Sequence, residues 1–321
     1  MIISIFSIVV FLLSIDIKAY SQPGACDGSC FSHDPSLIQH TDGTWFRFNT
    51  GNGIGIWKAP ALHGPWTYVG DALKGGSVTQ IAGRGDLWAP DVTRVGTMYY
   101  MYYAVSQFGK KNSAIGFATS STMEAGSWTD HGGIGVESSD SSRYNAIDPS
   151  LLVSGNDYYL VFGSWNQGIY QVAMESPPNR KTGSSSSNHL AYVSRAPHTG
   201  EGPTMFHHDG WYYLLYSSGI CCGYQNKKPA PGDEYKIVMC RSNSPTSGFH
   251  DKAGVDCLVG GGTTLLESHD NVYGPGGQGV IDTPDGLLLY YHYTNPQRGI
   301  ADADNLFGYN YLSFSDGWPA V

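Results

Sequence analysis

One piece of text returns five times along this chain. It reads SLIQHTDGTWFRF from Ser36, DVTRVGTMYYMYY from Asp91, SLLVSGNDYYLVF from Ser150, TMFHHDGWYYLLY from Thr204 and GVIDTPDGLLLYYHY from Gly279. Each copy is a short apolar stretch, a tight turn, and a run of aromatic and branched residues, the pattern of two antiparallel strands joined by a hairpin. The turn glycines Gly43, Gly96, Gly155, Gly210 and Gly286 stand 53, 59, 55 and 76 residues apart. Further strand-like segments follow within the units, at Ala114 to Ala118, Gly168 to Ala173 and Tyr235 to Cys240. A period of about 50 residues with several short strands per unit marks a propeller. Five units predict an all-β, five-bladed β-propeller.

No segment carries the periodicity of a helix of ordinary length, because Gly and Pro interrupt the apolar runs at strand length. The 42 glycines and the low charged fraction of 14% suit a loop-rich β protein rather than a disordered chain or a coiled coil. The serine run Ser184 to Ser187 and the segment Lys227 to Asp233 read as surface loops. Neither is a linker, since the repeat runs through both, so residues 22–321 are expected to form a single catalytic domain. The 76-residue interval before the fifth turn predicts longer loops there.

Residues Met1 to Ser14 are almost wholly apolar, and Ala19-Tyr20-Ser21 supplies small residues for a cleavage site. Residues 1–21 therefore read as a secretory signal peptide, although no Lys or Arg precedes the apolar run. The run is short for a membrane anchor, and the mature protein is expected to be secreted and extracellular. Six cysteines suit an oxidising compartment, but their pairing is open. The adjacent Cys221 and Cys222 allow either a vicinal bridge or two separate long-range ones. No Asn-x-Ser/Thr sequon is present. The formal net charge of −9 offers no attraction to nucleic acid or to an anionic membrane, which leaves a neutral substrate as the simplest partner.

Three acidic motifs sit at matched places in the repeat: His33-Asp34-Pro35-Ser36, Ile147-Asp148-Pro149-Ser150 and Gly200-Glu201-Gly202-Pro203. An Asp before Pro has a local turn explanation. Here, however, the hairpin tips have their own turn residues, and the acids lie at the other end of the first strand of the unit. In a propeller that strand lines the central channel, so Asp34, Asp148 and Glu201 are expected to converge at one mouth. Asp91, in Trp88-Ala89-Pro90-Asp91, occupies the corresponding place in the second unit and is read as supporting structure. Converging carboxylates supply what cleavage of a glycosidic bond requires, an acid for the leaving oxygen and a base or nucleophile. A third carboxylate raises the acid's pKa by repulsion. Trp88, Phe108 and Trp165 are placed to stack on sugar rings, and His33, Asn145 and Ser164 adjoin the motifs as further substrate-binding candidates. Gly274-Pro275-Gly276-Gly277-Gln278-Gly279 matches the dinucleotide pattern in letters only. No helix follows it, so it is read as tight backbone approach at the channel. His292 stands alone in Tyr290-Tyr291-His292-Tyr293, where a buried core histidine is the usual finding.

The segments HDPS, LWAPDV, NAIDPSLL, FGSWNQGI, GEGPTMF, CCGY, GGGTTLLES, GPGGQG and SDGWPAV together make the chain resemble the endo-α-1,5-L-arabinanases of glycoside hydrolase family 43, from about His33 to Pro319. The resemblance implies an inverting hydrolase acting inside arabinan, a side-chain polysaccharide of pectin. It makes Asp34 the general base, Glu201 the general acid and Asp148 the residue that tunes the acid's pKa. It also implies calcium or another ion in the channel, with His292 as its metal ligand. Many relatives have Ala where this chain has Gly202. An exo-acting arabinofuranosidase or xylosidase of the same family is the nearest rival, and a non-catalytic sugar-binding propeller the rival from another class. A monomer is expected.

Overall fold

The computed structural model describes residues 20–183 and 186–321. Most of the expected signal segment, residues 1–19, and Ser184 and Ser185 of the serine run lie outside the described residues. Five antiparallel sheets follow one another along the chain. Blade one holds β1 (Ser36–Gln39), β2 (Trp45–Asn49), β3 (Gly55–Ala59) and β4 (Thr67–Asp71). Blade two holds β5 (Leu87–Val95), β6 (Met98–Val105), β7 (Ser113–Ser120) and β8 (Thr129–Ser138). Blade three holds β9 (Ser150–Ser154), β10 (Asp157–Phe162), β11 (Ile169–Ala173) and β12 (Asn188–Ala191). Blade four holds β13 (Gly200–His208), β14 (Trp211–Ser218), β15 (Lys236–Ser242) and β16 (Thr263–Leu266). Blade five holds β17 (Tyr273–Thr283), β18 (Gly286–Thr294) and β19 (Leu306–Tyr311). A hairpin of β20 (Ser313–Ser315) and β21 (Trp318–Ala320) ends the chain. The first strands touch in cyclic order, β1 to β5 to β9 to β13 to β17 and back to β1, which closes a five-bladed propeller around a channel. All five expected turns join the first and second strands of a blade.

The aromatic runs have a packing cause. A second strand has a neighbouring blade on each face, so both faces are buried and strict alternation gives way to continuous apolar text. In β6 the stretch from Met101 to Val105 is wholly buried, whereas the outermost strand β8 alternates exposed and buried positions along its second half. Tyr102, Tyr103, Phe162, Tyr213, Tyr216 and Tyr291 are among the largest fully buried side chains. Each buried side chain of this size contributes about 1.5–3 kcal/mol. The buried hydroxyls keep partners: Tyr216 donates to the Gly261 carbonyl at 3.0 Å, Tyr291 to Asn310 Oδ1 at 2.6 Å and Tyr213 to the Gly317 carbonyl at 2.6 Å.

Blade five lacks a fourth strand of its own, and the segment before β1 takes that place. Gly24 N donates to the Tyr309 carbonyl at 2.8 Å, Phe307 N to the Cys30 carbonyl at 2.9 Å, and Ser32 N to the Asn305 carbonyl at 3.2 Å. A Cys26–Cys30 disulfide holds this segment in shape. Arg47 of β2 clamps it from beneath, donating to the carbonyls of Ser29 (2.7 Å) and Phe31 (3.0 Å). The guanidinium is fully buried, with its carbon 4.6 Å from the Trp66 ring centre and 4.8 Å from that of Phe307. Aromatic faces and two carbonyls offset part of the cost of burying this charge, and burial pulls its pKa down to about 9.

Candidate active site

The site is built from one backbone device repeated around the channel. Just before or within the first part of each first strand, a residue at the matching place takes left-handed backbone: Asp34 (φ 42°), Ala89 (φ 44°), Asp148 (φ 56°), Gly202 (φ 57°) and Gly277 (φ 57°). Proline follows in four of the five blades, at Pro35, Pro90, Pro149 and Pro203, and Gln278 follows in the fifth. These pairs line a cavity of about 40 Å³ in the channel, together with Asp91, Ser150, Thr204, Gly279 and Tyr290. Left-handed backbone is costly for residues other than Gly, Asn and Asp, and such strain gathers at functional sites.

The repeat sets a stricter register than the acidic motifs suggest. Asp34 and Asp148 share the left-handed position. Glu201 stands one residue earlier, level with His33, and Asp91 two residues later, level with Ser36 and Ser150. The expectation that Asp91 occupies the place of the other acids is therefore corrected. Its carboxylate instead accepts from Leu151 N of the next blade at 2.9 Å, as the Ser36 hydroxyl accepts from Val92 N at 2.9 Å. Burial pushes the Asp91 pKa up to about 6. It joins blades, in keeping with a supporting part.

Asp34, Asp148 and Glu201 do come together, from blades one, three and four. Asp34 remains a quarter exposed, and its Oδ2 accepts from the Thr50 hydroxyl at 3.0 Å. Thr50 in turn accepts from Ala89 N at 2.8 Å, which ties the carboxylate to blade two. Glu201 is buried, and both its oxygens are held: Ser164 donates to Oε2 at 2.6 Å and Tyr235 to Oε1 at 2.8 Å. Burial raises the pKa of Glu201, the two hydroxyl donors oppose the rise, and the charge of Asp34 adds to it. The pKa of Asp148 is pushed well above the carboxylate range by burial first, then by Glu201 and Asp34, against the Gly202 N–H that reaches its Oδ2 at 3.1 Å. Ionisation of Glu201 thus strengthens the hold of Asp148 on its proton. Gly202 has room for a Cβ, with its nearest neighbour at 3.6 Å, so only its left-handed backbone weighs against Ala there.

The glycine-rich motif packs where close approach was expected. A Cβ on Gly277 would stand 2.5 Å from Asp34 Oδ1 and 2.7 Å from His292 Nδ1. Gln278 links blades four and five by accepting from Ser217 Oγ at 2.8 Å and donating to the Gly202 carbonyl at 2.6 Å. His292 is buried beside Asp34. Its Nδ1 accepts from Asp34 N at 3.0 Å, which leaves its hydrogen on Nε2. That Nε2 is buried with no partner among the described residues. Burial holds the ring neutral, pulling its pKa down to about 3. Ligand atoms of His33, Asp34 and His292 lie within 4.8 Å of one another. The donor set fits a channel cation at one remove: the Nδ1 lone pair is already used, and Nε2–H suits an oxygen of the ion's hydration shell rather than the ion.

The remaining candidates divide. His33 is partly exposed, with Nε2 3.7 Å from Asp34 Oδ2 and its ring edge-on to His292 at 4.8 Å. Trp88, near the start of β5, is half-buried and donates to Asp86 at 3.2 Å. Phe108, between β6 and β7, is 86% exposed. Trp165, between β10 and β11, is half-buried in left-handed backbone, its N bonded to the Gly200 carbonyl at 2.8 Å. These four lie at the end of the blades that bears the carboxylates. Ser164 and Asn145 are buried and engaged elsewhere. The hydroxyl of Ser164 is spent on Glu201, and Asn145 Oδ1 accepts from Ser113 Oγ at 2.9 Å inside blade two. Tyr235 and Thr50, which touch the carboxylates directly, lie outside the three acidic motifs, and nothing in the register of the repeat points to them.

With this geometry in hand, likeness to known proteins becomes informative. The profile of "Glycosyl hydrolases family 43" matches residues 28–319. An "Arabinan endo-1,5-alpha-L-arabinosidase A" of Aspergillus niger is 54% identical over 312 residues, 97% of each chain. The protein of the same name from Aspergillus aculeatus is 52% identical over 304 residues, 94% of each. Among solved structures, a "GH43 Endo-Arabinanase from Bacillus licheniformis" superposes with TM-score 0.79 at 30% identity, over 92% of this chain and 99% of that one. An "Exo-1,5-alpha-L-arabinanase from Bovine Ruminal Metagenomic Library" superposes with TM-score 0.81 at 26% identity, over 92% of this chain and 99% of that one. A five-bladed ring with buried and half-buried carboxylates at one mouth, matched across nearly its whole length, places this chain in glycosyl hydrolase family 43.

Proposed function

We propose that this protein is a secreted endo-acting arabinanase that cleaves internal α-1,5-L-arabinofuranosidic bonds with inversion. The observation that carries the reading is the inequality of its three carboxyls. One is partly open to solvent and two are buried with raised pKa values at the same mouth. Asp34 accepts a proton from a water as that water's oxygen bonds to the anomeric carbon. Glu201 gives its proton to the departing glycosidic oxygen as the carbon–oxygen bond breaks. Asp148, sharing its proton affinity with Glu201 and holding the Gly202 amide, keeps that acid charged with a proton and fixes the backbone beside it. In inverting enzymes acid and base stand about 6.5–9.5 Å apart, leaving room for the water. Trp88, Phe108, Trp165 and His33 offer the rim surfaces for arabinose rings, and the three disulfides suit an extracellular site of action.

Internal cleavage is favoured by the names of the relatives at 50% identity and above. The exo reading remains the second one, because an exo-arabinanase shares the fold at nearly the same TM-score. Product sizing separates them. Linear arabinan should yield oligomers before monomer, and the first product should carry the inverted anomeric configuration by NMR. Monomer alone from the outset would rule out the endo reading, and retained configuration the inverting one.

A calcium or other cation in the channel belongs to the same proposal, held through water by Nε2–H of His292 and by the carboxylate of Asp34. When bound, it supplies a positive field that orders water near that carboxylate. Chelation is expected to lower activity in the parent protein, and His292→Ala to lower activity and remove the sensitivity to chelator. Full activity of the parent in excess chelator would dismiss the ion.

A further inference from the structure

Among the described residues, the cysteine pair of the Cys-Cys-Gly-Tyr motif forms a vicinal disulfide, Cys221–Cys222. It lies in the connection from β14 to β15, at the end of blade four that bears Glu201, and both cysteines are only partly buried. The residue before it, Ile220, is a junction. The Ile220 carbonyl accepts from Tyr235 N at 3.0 Å and from the Tyr224 hydroxyl at 2.6 Å, and Ile220 N donates to the Asp233 carbonyl at 2.8 Å. The Tyr224 hydroxyl also accepts from Tyr235 N at 3.3 Å. Tyr235 then reaches across to hold Glu201 Oε1 at 2.8 Å, while its ring stacks on His292 at 5.9 Å between centres. On the far side of the bridge, Gly223 N donates to Asp302 Oδ1 of blade five at 2.8 Å.

We propose that the Cys221–Cys222 bridge is a positioning element for the general acid, acting through Ile220 and Tyr235. The bridge closes a small covalent ring around one peptide unit, which removes backbone freedom that two free cysteines would keep. The loop is thereby held between two anchors, the Ile220 carbonyl and the Gly223 amide. A fixed Ile220 carbonyl fixes where Tyr235 starts, and Tyr235 fixes where one oxygen of Glu201 points. An acid aimed at a leaving oxygen tolerates little displacement, since a misplacement of about 1 Å costs roughly a hundredfold in rate. The inference rests on Glu201 being the acid.

The test is the paired variant Cys221→Ser with Cys222→Ser, assayed on linear arabino-oligosaccharides and on an aryl arabino-oligosaccharide whose leaving group needs no protonation. Expected is a loss in kcat of about ten- to a hundredfold on the natural linkage, a much smaller loss on the aryl substrate, and little change in KM or thermal midpoint. Tyr224→Phe, which removes the hydroxyl's bonds to the Ile220 carbonyl and to Tyr235 N, should show the same split more weakly, and it decides alone if the paired variant does not fold. An equal loss on both substrates, a rise in KM with kcat unchanged, or no change overturns the proposal. Should Glu201→Gln itself lack this dependence on the leaving group, the acid assignment has failed rather than the bridge.

Discussion

Glu201→Gln should lower kcat/KM on linear arabinan by about 10²–10⁴-fold, the usual range for a lost general acid. Gln keeps the shape, and its amide oxygen can accept from one of the two hydroxyls of Ser164 and Tyr235 while its NH2 donates to the other, so the fold and the buried site should survive. What disappears is the proton. The loss should therefore shrink sharply on an aryl arabino-oligosaccharide, whose leaving group departs without protonation. The alkaline limb of the pH profile should also vanish. In the parent protein that limb lies above the ordinary carboxyl range, because burial raises the acid's pKa and so preserves the protonated form to higher pH. Activity on linear arabinan within about twofold of the parent would remove Glu201 from the chemistry.

Asp34→Asn should be as damaging, also about 10²–10⁴-fold, but with the opposite signature. Water must be activated whatever leaves, so the loss should be equal on natural and aryl substrates. Asn can accept from Thr50 as Asp34 does, and its amide N–H still reaches His292, so thermal stability should change little. A loss confined to the natural linkage would make Asp34 part of leaving-group chemistry and exchange the two assignments. Measured together, the variants separate the two proton transfers.

Much of the architecture was legible because a propeller repeats locally. Each unit writes its own turn and its own aromatic strand, and all five turns fall where the text places them. The mouth was legible for the same reason, since first strands start alike. Four features were not. The register of Asp91 depends on which residue takes left-handed backbone, and Asp-Pro and Ala-Pro look different in sequence while sharing that conformation. Tyr235 immediately precedes the third strand of its blade, and its contact with Glu201 is a tertiary event between residues 34 apart. Ser164 and Asn145 adjoin the motifs in sequence, yet buried hydroxyl and amide groups take partners within the protein before any ligand arrives. The fourth strand of blade five could not be found near blade five, because it is written at the other end of the chain.

That last arrangement gives the molecule a seam. The last strand of blade five has no covalent bond to the segment that completes it, and backbone hydrogen bonds and packing join the two there. Asp34 follows the clasping segment by a few residues, and its backbone N–H meets His292 from the far side of the same join. The site thus straddles the nick. The contact between Asp34 and His292 therefore exists only once the earliest and latest parts of the polypeptide have met. On the role proposed for Asp34, hydrolytic competence is expected to report that this meeting has taken place.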